Sequence, residues 1–169
     1  MESMNFPEEL KEFTLKESLF FNDSISMHIP DYMKDMPTED YQRRFPGQIK
    51  TEVAMTSPQG NAILVFQEQV LDNPIISIDI FIEQESIKME RVIPGYAEMG
   101  RGTKVINGLN VGCIQYKSNA IDKDLINTFF AFRMGNTLRY GLFIAPFEWC
   151  EAWTKIFLTC IETLRVEKC

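Results

Sequence analysis

The stretch from Gly95 to Gly102 comes nearest to a phosphate loop, with Gly95 and Gly100 at the spacing of that motif's two glycines. The motif then needs a lysine and a hydroxyl, and Arg101 and Gly102 stand in those places. A strand pattern follows, so no helix N-terminus supplies the amides and dipole that hold phosphate. The expectation is a glycine-rich turn leading into a strand. His28 is the only histidine. It could act as a general base, but it sits on the polar phase of its strand with no serine or cysteine placed to use it, and it reads as solvent-facing. Cys113, Cys150, Cys160 and Cys169 form no CxxC and, with one histidine, no ligand set for zinc. Cys150 and Cys160 fall on the apolar side of a helix, where burial makes a thiol inert, while Cys169 is expected to be exposed. Carboxylate neighbours such as Glu83/Glu85 and Glu148/Glu151 read as solvated faces. No catalytic residue, metal ligand or cofactor is nominated, and the chain is not expected to be an enzyme.

Residues 31–47 differ in kind. They show no sustained periodicity, and loops beyond about 12–15 residues are uncommon unless they are functional or hide a short helix. The segment carries Tyr32, Met33, Met36 and Tyr41 beside Arg43 and Arg44. Methionine, tyrosine and arginine are enriched at protein interfaces, and methionine-rich surfaces adapt to varied partners. These six residues are the candidate binding site, set against the plainer reading that they plug one edge or face of a sheet.

The elements that must position them emerge from the whole chain. Its 169 residues suit one domain, 1–169, with residues 1–12 as a loosely packed N-terminal segment. A net charge of −7 with scattered basic residues argues against nucleic acid as a partner. No apolar run reaches the length of a membrane span. Residues 1–12 lack the basic start and apolar core of a signal peptide, so the expected location is the cytoplasm, with the thiols reduced.

Strands are expected over residues 14–21 and 25–29, joined by a turn at Asn22, Asp23 and Ser24 and closed by Pro30. A hairpin follows, with alternation from Ile49 to Met55, a turn at 58–61 and a return over 62–70. Residues 74–92 leave helix and strand evenly matched. Pro74 after Asn73 suits a helix start, whereas Ile76, Ile78, Ile80 and Ile82 alternate as in a strand. Asn107 and Gly108 mark a tight hairpin between 102–106 and 109–118. Gly135 and Asn136 join 125–134 to 137–145 in a register placing Phe130 opposite Gly141 and Phe132 opposite Arg139. Both faces of that hairpin are apolar, so both are expected to be covered, with an aromatic lying over Gly141. After Pro146 a helix is expected over about 147–166, with Trp149, Cys150, Trp153, Phe157, Cys160, Ile161 and Leu164 on its apolar side.

This order resembles the PsbP-like superfamily, which includes Mog-type proteins and DcrB-like bacterial domains. The residues that carry it run from Phe20 through the turn at Asn22, Asp23 and Ser24 to Ile29, Pro30, Asp31 and Tyr32, with further support from Ile106-Asn107-Gly108-Leu109 and from Trp153. The resemblance spans about residues 14–165. It implies an α+β fold, an α-β-α sandwich around a twisted, mainly antiparallel sheet with a long C-terminal helix, and it inclines residues 74–92 toward helix. It also implies a non-enzymatic protein-binding module, an adaptor or chaperone-like protein linked to secretion, whose partner is another protein or a second copy of the chain. The alternative is a small-ligand-binding protein or weak hydrolase using a cleft between the sheet and the 74–92 element.

Overall fold

Asn107 and Gly108 take φ values of +49° and +84°, the left-handed pair that a two-residue hairpin loop requires. Around this turn and its neighbours the chain builds most of its sheet. The computed structural model describes residues 6–72 and 77–167. The elements run β1 (Leu15–Phe20), β2 (Ile25–Pro30), β3 (Lys34–Asp35), α1 (Thr38–Arg44), β4 (Val53–Thr56), β5 (Ile63–Val70), α2 (Ile78–Val92), β6 (Ala97–Ile106), β7 (Leu109–Asn119), β8 (Asp124–Met134), β9 (Thr137–Pro146), α3 (Cys150–Ile161) and β10 (Arg165–Val166). Seven strands pair in the order β3-β4-β5-β9-β8-β7-β6, and a smaller sheet has the order β1-β2-β10. Each recorded pairing is antiparallel.

The β8–β9 register is the one the two-residue loop dictates, with Met134 opposite Thr137, Phe132 opposite Arg139 and Phe130 opposite Gly141. Alternation then divides the sheet's side chains. Phe66, Phe130, Phe132 and Phe143 enter the core shared with β1, β2 and α3. Phe129, Ala131, Ile114 and Tyr116 face α2, and Ile63, Val65 and Ile144 lie under α1. The result is an α-β-α sandwich, α+β in class, with α1 and α2 on one face and α3 with the small sheet on the other.

Residues 78–92 are helical. Ser77 caps the N-terminus, accepting from the Ile80 N–H at 3.2 Å, while Ile78, Ile82, Ser86 and Met89 turn inward. Local β-propensity yields because the sheet face of Ile114 and Phe129 must be covered. Ile80 and Ile87, on the far side of the helix, remain about half exposed. The expected proline at the first helical position, with Asn73, lies outside the described residues.

Three expectations change in extent. The strand expected from Ile49 begins only at Val53, and Ile49 is fully exposed. The neighbouring strand β3 has two residues, pairing with Thr56 and Met55, and residues 49–52 join the ladder of neither β3 nor β5, although Lys50 reaches Asp35 on β3 at 3.3 Å. Residues 31–47 contain β3 and the seven-residue α1. The terminal helix is shorter than 147–166. Trp149 stands before it in the left-handed region, and after Ile161 the chain turns so that Arg165 and Val166 pair with Ser26 and Ile25. That pairing satisfies backbone groups on β2 that a longer helix would leave open.

Candidate functional site

The six nominated residues are sorted into three places. Met33 is buried in the core beneath α3, and Tyr32 packs beside it half-buried. The Tyr32 hydroxyl donates to the Glu9 carbonyl at 2.9 Å, and burial, followed by the nearby Glu9 charge, pushes its phenol upward. Met36 and Tyr41 are buried on the opposite face, between α1 and the sheet. Arg43 and Arg44 are exposed at the C-terminal end of α1. Tyr41 is therefore the anchor that seats α1, its ring 4.7 Å from that of Phe45, and the two arginines are what the helix presents. Both suit the helix end electrostatically, as Glu39 and Asp40 suit its start.

Arg43 is ion-paired with Asp40. Arg44 donates to the Gly60 carbonyl at 3.1 Å, which ties α1 to the turn between β4 and β5. Against this pair opens a hollow of about 530 Å³, on the scale of a ligand or peptide site. Ile63, Leu125 and Ile144 form its apolar floor, and the turn of residues 120–123 forms the far bank. That turn is closed by the Ala120 N–H donating to the Lys123 carbonyl at 2.8 Å, and it holds Ile121 fully exposed.

A second hollow of about 340 Å³ adjoins the first, sharing Asn61 and Pro146 in its wall. Phe6, Glu8 and Lys11 line one side and Glu148, Trp149 and Trp153 the other. Trp149 has φ +66°, an uncommon conformation for a bulky residue, and Phe6 meets its ring edge-on at 4.8 Å. Glu9 lies buried behind this wall, accepting from Asn61 Nδ2 at 2.6 Å and from the Gln59 N–H at 3.2 Å. Within the N-terminal segment, Glu9 is held by these two hydrogen bonds and Leu10 packs against the main core. The two hollows form a trough along one end of the sandwich.

The sheet–α2 cleft of the alternative reading is a hollow of about 350 Å³ lined by Asp79, Glu83, Arg101 and Thr103. There the Thr103 hydroxyl donates to Asp79 at 2.6 Å. His28 is remote in topology, on β2 in the small sheet of the other face. Among the described residues no cluster of histidine, cysteine and carboxylates could hold a metal, and no helix is long and apolar enough to cross a membrane.

Sequence reasoning reached Arg43 and Arg44 but not the 120–123 turn, Glu9 or the role of Trp149. Trp149 falls in phase with the apolar stripe of α3, and periodicity carries no sign that the residue before a helix has turned left-handed.

No family model matches the chain, and no curated protein matches it. Solved structures are similar. The cyanobacterial PsbP, CyanoP, from Synechocystis sp. PCC 6803 is 8% identical, with a TM-score of 0.67 over 92% of this chain and 94% of that one. LpqN, involved in cell envelope biogenesis of Mycobacterium tuberculosis, is 9% identical, with a TM-score of 0.62 over 94% and 93%. The immunity protein TplEi of T6SS from Pseudomonas aeruginosa is 12% identical, with a TM-score of 0.51 over 90% and 72%. The chain has a PsbP-like fold.

Proposed function

We propose that this chain is a non-enzymatic protein-binding module, an adaptor or chaperone-like protein of the cytoplasm, and that the trough beside α1 is where a partner docks. The observation that carries this reading is the larger hollow, an apolar floor of Ile63, Leu125 and Ile144 rimmed by Arg43, Arg44 and Lys123. Partly apolar, arginine-bearing surfaces are typical of interfaces. On this reading Tyr32, Met33, Met36 and Tyr41 serve from within, seating the segment that presents the two arginines. An immunity protein among the structural neighbours is in keeping with work done through protein contact, and so is a link to secretion. The experiment is capture from native lysate by the wild type, by Arg43→Glu/Arg44→Glu/Ile121→Asp, and by Val105→Asp on β6 as a control. The triple variant should lose partners that the control keeps. Identical capture by the triple variant removes the trough from consideration.

The alternative, small-ligand binding or weak hydrolysis, is favoured by the hollow between α2 and β6 with its Thr103–Asp79 hydrogen bond. A thermal-shift screen tests it, since ligand at 100 times its dissociation constant adds about 2.7 kcal/mol.

A further inference from the structure

The two ends of the trough differ in sign. In the larger hollow the charged wall residues are Arg43, Arg44 and Lys123 against Asp122; Arg43 is ion-paired with Asp40, so Arg44 and Lys123 make this a basic surface on a chain of net charge −7. In the smaller hollow they are Glu8 and Glu148 against Lys11. Lys11 is held by Glu8 at 2.9 Å, and Glu148 has no ion-pair partner among the described residues, so Glu148 sets the sign at that end.

The acidic end also carries the means to hold a cation. Trp149 keeps about a third of its surface exposed (36%) while its backbone sits at φ +66°, a conformation uncommon for a bulky residue that concentrates at binding sites. An indole beside a carboxylate is a favourable seat for an ammonium or guanidinium. Trp153, in the same wall, is fully buried, so Trp149 is the indole that the hollow presents.

We infer that the trough takes an extended segment of a partner protein with opposite charges at its two ends: a lysine or arginine side chain against Trp149 and Glu148, an apolar side chain over Ile63 and Ile144, and aspartates or glutamates toward Arg43 and Arg44. This rests on the reading of the trough as a protein-docking site and adds the charge order of the partner. A basic partner surface would be repelled at the Arg43–Arg44 end and an acidic one at the Glu148 end, so the arrangement selects sequences by charge order as well as by charge.

Trp149 and Trp153 are the chain's two tryptophans and both line the smaller hollow, so intrinsic fluorescence reports occupancy directly. The probes are tryptophan-free peptides of about eight residues, a length that spans at most ~28 Å. One has lysine at one end, leucines in the middle and two aspartates at the other end, made in both orders. In a second the lysine is replaced by alanine, and in a third the aspartates are. One order of the bipolar peptide should bind about threefold to tenfold more tightly than either half-charged peptide, as exposed ion pairs allow, with the advantage fading toward 1 M salt. In the variant Glu148→Lys/Arg44→Glu the two orders should exchange rank. Equal binding of the bipolar and aspartate-only peptides, unchanged ranking in the variant, or no response to any peptide would each overturn the charge order. Identical capture by the triple variant overturns the docking site, whereas the peptide rankings overturn only the charge order, so the two ideas fail by different results.

Discussion

Glu9 and Asn61 are joined at 2.6 Å, carboxylate to side-chain amide, across 52 positions of sequence. With the Gln59 N–H on the second carboxylate oxygen at 3.2 Å, this contact pins the N-terminal turn to the β4–β5 turn where the two hollows meet. Glu9 is 3% exposed, so its charge is satisfied by these donors rather than by water. Glu9→Ala should cost about 1–3 kcal/mol, the range for charge-assisted hydrogen bonds, and should alter tryptophan fluorescence by loosening the wall that carries Phe6. Urea denaturation checks the first effect and the emission spectrum the second. An unchanged midpoint would mean that the turn is held by other contacts.

The ring of Phe130 lies over the bare backbone of Gly141, where an added Cβ would come within 2.5 Å of the ring's Cζ. The Val65 carbonyl, 3.0 Å away on the neighbouring strand, limits any retreat. Gly141→Ala should therefore destabilise by about 1–3 kcal/mol through overpacking, despite alanine's lower backbone entropy cost. A rise in Tm would show that the aromatic can move aside.

Gly112 plays the same part on the α2 face. A Cβ there would collide with the Ile82 side chain and lie 2.9 Å from Cγ2 of Ile78, so its absence is what lets α2 sit close on β7. Gly112→Ala and Ile82→Ala should each destabilise, the second by about 2–4 kcal/mol. The double variant should be less damaged than the sum, because removing the Ile82 side chain clears room for the new methyl group. Strict additivity in a double-mutant cycle would sink this account.

Burial pushes the Cys113 thiol up to about 11 and the Cys160 thiol up to about 12. The Tyr96 phenol is raised to about 12 by burial and then by its hydrogen bond to Glu98. In each case the folded protein keeps a proton that the unfolded chain releases earlier. The stabilisation is therefore full below about pH 9 and is lost as pH climbs from there toward 12. Denaturation midpoints should fall between pH 8 and pH 10.5, and alkylation of Cys113 at pH 8 should be slow beside a free thiol, since burial keeps it protonated. A midpoint that rises with pH over this window would contradict the assignment.

The hairpins were legible because their information is local. Asn107, Gly108 and Gly135 supply the positive φ values their turns need, and once a two-residue loop is set, alternation assigns every side chain of β8 and β9 to a face. The inward stripe of α3 was legible for the same reason, with Trp153, Phe157, Cys160 and Ile161 all buried. Helix α2 was not, because its isoleucines satisfy both periodicities and the deciding term is the uncovered sheet face bearing Ile114 and Phe129. The ends of α3 and β4 were set by partners: β10 claims Arg165 and Val166, and residues 49–52 join the ladder of neither β3 nor β5.

The candidate site divides along the same line. Sequence by itself determined that residues 31–47 concentrate methionine, tyrosine and arginine, and which strands pair through short turns, since each depends on residue type at close spacing. Only the tertiary structure decided that Met33, Met36 and Tyr41 turn inward while Arg43 and Arg44 face a hollow. Tertiary structure alone also brought the 58–61 turn, the 120–123 turn, Glu9 and Trp149 to one end of the sandwich. These segments are joined by strand pairing and buried contacts between residues dozens of positions apart, and such contacts leave no periodic trace in the chain.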